Sequence, residues 1–390
     1  MTIPGPAAAT GGNRDHEDLM DLDFTEEQEM LRNMVRGLCS SYAPLETVRA
    51  VEDDPVGFPP ELWKQMAALD LIGMMLPAEY GGSEMSAIEG AILYSELGRA
   101  LVPTPHFVSA VLAANLLLAA GSDEQKQAWL PRIATGDAIV TVAWLEASSG
   151  FGPGAIKTRA TETAPGQWTL DGVKWHVPFA QAVNAMIVLA RTSDAEVGLF
   201  LVENNGLALT QQLTVASDTQ YEVVFASTPA QLIGSSAIGW QTWHDVMMKG
   251  IVLLAAQAVG GARYALDITV QYAKDREQFD KPLGAFQAIA HYLADAATVV
   301  DGAEVLTWEA AWALATERPI DRLAPMAKLF ACKTYRDVTA TAQQIFGGVG
   351  FTLECDIQLF FRRAKQLQIS WWDDRELERL VARSVIDGES

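Results

Sequence analysis

The hydrophobic period changes twice along this chain, and that double switch limits the folds open to it more than any single motif does. From about Asp23 to Thr135 apolar residues recur at helical spacing: Leu31, Met34, Val35 and Leu38 share one face of "FTEEQEMLRNMVRGL". Thr25 precedes Gln28, and Ser122 precedes Gln125, at the spacing of a capping box, which satisfies the free donors at a helix start. Between them "LPAEYGG" (76–82) reads as a loop. From about residue 138 β-branched runs take over: "IVTVAW", "WTLDGVKWHV" with an Asp-Gly turn, "AMIVLAR" and "VGLFLVE". The final third is helical again. Phe286, Ile289, Leu293, Ala296, Val300 and Ala303 form one stripe, and the small residues of "LLAAQAVGGARYAL" (253–266) permit close helix approach. The expected fold is α+β and mainly α. A tail over 1–20 precedes a helical domain (21–137), a β-domain (138–239) and a helical bundle (240–390), the last expected as a four-helix bundle.

Composition removes several classes of function. The formal net charge of −21 opposes a nucleic-acid role, which needs a basic face. No apolar run reaches the roughly 18 residues of a membrane span. The opening residues lack the basic start and apolar stretch of a secretory signal, so a cytoplasmic location is expected. Cys39, Cys332 and Cys355 have no metal-ligand or redox spacing and read as space-filling residues. The five histidines are scattered, and no metal is expected. "GFGPG" (150–154) follows a strand but contains Pro153 and leads into no helical pattern, so it reads as a loop rather than a dinucleotide fingerprint.

Two long segments, "DREQFDKPLGAFQAIAHYLAD" (275–295) and "QIFGGVGFTLECDIQLFFRRAK" (344–365), together with "FTEEQ" and "LIGMMLPAEYGG", resemble the acyl-CoA dehydrogenase family across nearly the whole chain. The resemblance implies FAD as cofactor, a CoA thioester as substrate, an electron-transfer flavoprotein as electron acceptor, and a dimer or tetramer. It places Arg276 at the FAD pyrophosphate and Phe279 beside the adenosine, across a subunit boundary. Gln287 would be a further cofactor contact, and Gln344, Gly347 and Gly348 another wall of the same site. A fixed cation and open glycine backbone suit a pyrophosphate.

The family reaction removes a proton beside the thioester carbonyl, with a glutamate as base, while hydride leaves for flavin. Ungapped extension of the resemblance from Gln344 puts Trp371 at that glutamate; one gap puts Trp372 there. The alternative position on the first long bundle helix holds Gly250. Asp373 and Asp374 are the nearest carboxylates. Asp373 is the candidate base, and it also reads as the N-cap of "RELERLVAR", with Glu376 as capping-box partner. In the β-domain His176, Val177 and Pro178 occupy a stretch that lies beside the flavin ring in the family, and "WLEASSG" retains Glu146. Pro178 has no N–H to offer. Three functions follow as expectations: α,β-dehydrogenation of a CoA thioester, a non-catalytic subunit paired with a catalytic homologue, and oxidase or monooxygenase chemistry on the same fold; a homotetramer and a heterotetramer with a homologous subunit both stay open.

Overall fold

A computed structural model of the chain describes residues 23–147 and 150–388; the expected tail over 1–20 lies outside the described residues. The first helices are α1 (Glu26–Tyr42), α2 (Leu45–Ala50), α3 (Pro60–Ala68) and α4 (Ala87–Arg99). A wide π-type turn, Phe107–Ala113, runs directly into α5 (Ala114–Ala120), followed by α6 (Asp123–Ala134). Reciprocal capping boxes start α1 at Thr25 and Gln28 and α6 at Ser122 and Gln125. The "LPAEYGG" loop carries one short 3-10 turn, Ala78–Tyr80, closed by Gly81 at φ +83°.

Seven strands follow: β1 (Val140–Ala143), β2 (Arg159–Ala164), β3 (Gln167–Pro178), β4 (Ala185–Arg191), β5 (Val197–Glu203), β6 (Ala208–Gln212) and β7 (Gln220–Ile233). The path β4-β2-β3-β7-β5 closes on itself through β4–β5 pairing, with β1 added beside β4 and β6 beside β7. Closure explains why "AMIVLAR" and "VGLFLVE" are apolar almost throughout: β4 and β5 are buried on both faces.

The expected Asp-Gly turn is not a turn. Asp171 and Gly172 lie inside β3, where the register to β7 shifts between Leu170 and Gly172. Gly172 sits at φ +150°, and a Cβ there would stand 2.6 Å from Thr158 Oγ1, so the glycine makes a bulge possible. The hairpin turn is Pro165-Gly166, between β2 and β3, with Gly166 at φ +74°.

The bundle comprises α7 (Gly239–Asp275), α8 (Gln287–Ala315), α9 (Leu323–Phe346), α10 (Ile357–Ile369) and α11 (Asp374–Ala382). By length and composition α7 could cross a membrane, but 72% of its apolar window is buried inside the protein. It is the core helix against which α4, α8, α9 and α10 pack. The small-residue run sets that packing: a Cβ on Gly98 of α4 would stand 2.0 Å from the Gln257 carbonyl of α7, and one on Gly260 would stand 1.9 Å from the Ser95 carbonyl. On α8 the stripe is buried at Ala296, Val300 and Ala303 and only half-buried at Phe286, Ile289 and Leu293.

Candidate active site

Where the helical domain, the β-domain and the bundle meet, a cavity of about 620 Å³ opens. Its walls come from every layer: Phe107 of the π-type turn, Trp144 after β1, His176 of β3, Leu254 of α7, Leu367 of α10, and Trp371. Trp371 joins two of these walls. Its ring lies edge-on to Phe107 at 5.2 Å and stacks on Trp144 at 6.3 Å, with an interplanar angle of 15°. Trp144 in turn packs on the buried Trp243 at 5.1 Å.

Trp371 and Trp372 both adopt left-handed backbone, at φ +54° and +70°. Such a conformation costs a side-chain-bearing residue about 1–3 kcal/mol and persists only where surroundings impose it. Here Lys328 of α9 does so. It is wholly buried, and its Nζ donates to the carbonyls of Trp372 at 2.8 Å, Ser370 at 3.0 Å and Leu367 at 3.4 Å. Burial lowers the Lys328 pKa, against the opposing charges of Cys332, Asp374 and Asp373. The ammonium thus closes the C-terminal end of α10, where carbonyls lack helical partners.

At the expected base positions the structure has no free carboxylate. A Cβ on Gly250 would meet Leu112 Cδ2 at 3.2 Å and Phe107 Cζ at 3.3 Å, so a side chain there would have to press these two apolar neighbours aside by a few tenths of an ångström. Asp373, the candidate base, does not line the cavity; its carboxylate caps α11 by accepting from Glu376 N at 3.0 Å. The reciprocal bond of a capping box is absent there, because Glu376 pairs with Arg379 instead. Asp374 accepts from Gln368 Nε2 at 2.5 Å and likewise stays outside the cavity.

The two carboxylates that line the cavity are both engaged. Glu146 binds Lys174 Nζ at 2.7 Å and accepts from the backbone N–H groups of Lys157 and Thr158 at 2.8 and 2.9 Å. Burial raises its pKa, but Lys174 and the Thr158 donors outweigh burial and leave it below the ordinary carboxylate value. Lys174, with no exposed surface, is lowered by burial to about 8 despite Glu146. The pair ties the loop after β1 to β3 and forms cavity wall. Asp218 accepts from Thr214 Oγ1 and from Gln220 Nε2, the latter at 2.6 Å. With its amide nitrogen turned to Asp218, Gln220 presents its oxygen to His176 Nδ1 at 2.9 Å. In that arrangement Nδ1 carries the hydrogen and Nε2 is left free. His176 is held at φ +54°, and the neighbouring Pro178 carbonyl accepts from Thr141 Oγ1 at 2.8 Å.

The profile "Acyl-CoA dehydrogenase, N-terminal domain" matches residues 25–137, and "Acyl-CoA dehydrogenase, C-terminal domain" matches residues 238–382. The chain is 32% identical to the probable acyl-CoA dehydrogenase YngJ of Bacillus subtilis, over 94% of this chain and all of that protein. The chain belongs to the acyl-CoA dehydrogenase family. It is also 30% identical to the mitochondrial short-chain specific acyl-CoA dehydrogenase of Bos taurus, over 95% of this chain and 92% of that one. Among solved structures it is similar to the ChsE4–ChsE5 complex from Mycobacterium tuberculosis, with a TM-score of 0.85 and 27% identity, covering 95% of this chain and all of that one.

Acyl-CoA dehydrogenases are FAD-dependent oxidoreductases, and the expected cofactor residues lie in two groups on the surface, outside the cavity. Arg276 follows α7, is exposed, and has no side-chain partner among the described residues. Phe279 is 87% exposed in the ribbon Glu277–Pro282, at φ +55°. Gln287, at the start of α8, is exposed, as is Gln344 near the end of α9. Gly347 and Gly348 have nothing within 4 Å of where a Cβ would stand. An unpaired guanidinium, a bare aromatic face and open glycine backbone are the donor set that a pyrophosphate and an adenine need, so these residues fit the outer part of FAD.

Sequence reasoning passed over Lys328, Phe107 and Gln220. The signal for Lys328 is a cation on the apolar face of α9, beside the buried Ala327 and Ala331. Phe107 and Gln220 gave no signal, because each acts through a neighbour distant in sequence.

Proposed function

We propose that this chain is the FAD- and thioester-binding subunit of a heteromeric acyl-CoA dehydrogenase, and that the carboxylate base resides on a homologous partner chain. The observation that carries this reading is the state of the cavity: Glu146 and Asp218, the carboxylates lining it, are committed to Lys174, Thr214 and Gln220, and the two positions at which the family resemblance leads one to expect the base hold Trp371 and Gly250. A proton acceptor for an α-carbon must reach the substrate and must not already be saturated with donors.

FAD supplies hydride acceptance when bound. Arg276, Phe279 and Gln287 would hold its pyrophosphate and adenosine side, and Gln344, Gly347 and Gly348 the second wall. His176, with its free Nε2, would give the ring one polar contact, while Trp144, Trp371 and Phe107 exclude water. Support for a partner comes from apolar side chains left exposed around these residues: Phe279, Val349, Phe351 and Leu353. The related ChsE4–ChsE5 structure is itself a complex of two named chains. A tetramer, a cytoplasmic location and electron-transfer flavoprotein as acceptor complete the reading.

Co-expression with a homologue that carries the family's glutamate base tests it. The expected result is a stable mixed oligomer that reduces an acceptor flavoprotein, with activity lost when the partner's glutamate is replaced. A homo-oligomer of this chain that oxidises acyl-CoA unaided would overturn it.

A further inference from the structure

The cavity contains one charge that the proposed function does not use. Arg363 of α10 lines it, half-buried, and has no hydrogen-bond or ion-pair partner among the described residues. Its neighbour Arg362 shows how unusual that is, since it binds Glu52 at 2.6 Å, Gln358 at 2.7 Å and Ser217 Oγ at 3.3 Å. Nor is there a shortage of counter-ions in a chain with 49 acidic and 28 basic residues. The other charged groups on the wall, Glu146 and Asp218, are saturated by their own partners. A guanidinium partly withdrawn from water without a counter-ion is costly, and that cost is removed when a ligand supplies the anion.

Its surroundings point to the same kind of ligand. Gln257 of α7 lines the cavity too, and its side-chain amide has no partner among the described residues. Gln366, one turn from Arg363, donates to Ser370 Oγ at 3.2 Å and keeps its amide oxygen free. Leu254 and Leu367 supply apolar wall in the same cavity. Arg363 lies six residues before the end of α10 at Ile369, which is about 9 Å of helix rise from the Trp371 turn. The cavity therefore joins an aromatic end, beside the position of the missing base, to a cationic end further along α10.

We propose that Arg363 and Gln257 receive a carboxylate at the far end of the acyl group, so that the ligand of this cavity is the CoA thioester of a dicarboxylic acid. The guanidinium offers a planar fork that a carboxylate can accept bidentately, and the apolar stretch between the two ends takes the methylene chain. The inference rests on the reading of this cavity as a thioester site.

Isothermal titration of the FAD-loaded protein with adipyl-CoA and with hexanoyl-CoA, chains of equal length, tests it. Adipyl-CoA is expected to bind about tenfold tighter or more, as a charge-assisted pair provides. Arg363→Gln should lower adipyl-CoA to the level of hexanoyl-CoA, and Arg363→Lys, which keeps the charge but not the fork, should retain part of the preference. Equal affinities in the wild type would overturn the inference alone. An equal fall for both thioesters in Arg363→Gln would place the arginine on the CoA phosphates and overturn it as well. If neither thioester binds, the thioester reading of the cavity fails and this inference with it.

Discussion

Replacing Lys328 with methionine tests whether one buried amine holds the Trp371–Trp372 turn in place. Methionine matches the lysine stem in length, so packing around α9 is nearly conserved while the donors are lost. Three carbonyls lose a donor, and those of Ser370 and Trp372 lose bonds of 3.0 and 2.8 Å. An unsatisfied buried acceptor costs about 1–3 kcal/mol. Removing the desolvation cost of the buried amine offsets part of this, which leaves a net loss of about 2–4 kcal/mol. The second consequence is conformational. Two left-handed residues hold about 2–6 kcal/mol of backbone strain between them, and without the tie the turn relaxes. Denaturant unfolding measures the first effect. Near-ultraviolet circular dichroism measures the second, because Trp371 and Trp144 are stacked and their coupling depends on that geometry. A variant with stability within ~0.5 kcal/mol of wild type and an unchanged tryptophan spectrum would refute the assignment of Lys328 as the support of this turn.

Other side chains give sharper single outcomes. Tyr335 is buried with its hydroxyl unpaired, and burial pushes its pKa far above the ordinary tyrosine value, so Tyr335→Phe should leave stability unchanged or raise it by up to ~1 kcal/mol in thermal unfolding. Gly98→Ala should destabilise by about 3 kcal/mol or more, seen as a loss of soluble folded protein, because its Cβ would stand 2.0 Å from the Gln257 carbonyl. His106 is buried between Tyr94 Oη at 2.8 Å and the Leu71 carbonyl at 3.1 Å, and burial lowers its pKa from 6.5 to about 4. Between those values the unfolded chain binds the proton and the folded chain does not. Stability should therefore fall by about 3 kcal/mol as pH drops from 6.5 to 4, a limb that His106→Asn should flatten in pH-dependent unfolding.

The order of helical, β and helical segments was legible because amphipathic helices and buried strands write their periods into the residues that face the core. Leu31, Val35 and Leu38 on α1, and Ala296, Val300 and Ala303 on α8, are buried as their spacing implies, whereas Met34, at the edge of the α1 face, is exposed. The Asp171-Gly172 pair misled because a bulge and a tight turn ask for the same backbone freedom at glycine; only the register with β7 separates them. The site was legible in what it lacks. Trp371 and Gly250 stand at the two positions where the family resemblance leads one to expect a glutamate, and the carboxylates that do line the cavity, Glu146 and Asp218, are held by other partners. Arg363 could be quoted from the sequence but not assigned, since its distinction from Arg362 is a missing partner, which is a property of the packed molecule. The same holds for His176, whose tautomer depends on Gln220 and Asp218 reaching it from β7 and the loop before it.

The central claim is that no carboxylate in this chain's own cavity is free to remove an α-proton. The most direct measurement is the visible flavin spectrum of the isolated, FAD-loaded chain, taken anaerobically before and after adding a panel of monocarboxylyl- and dicarboxylyl-CoA thioesters. The account predicts an oxidised flavin band that shifts on ligand binding but does not bleach, and bleaching once the homologue carrying the glutamate is added. Bleaching by this chain alone would show that a base is present and would contradict it.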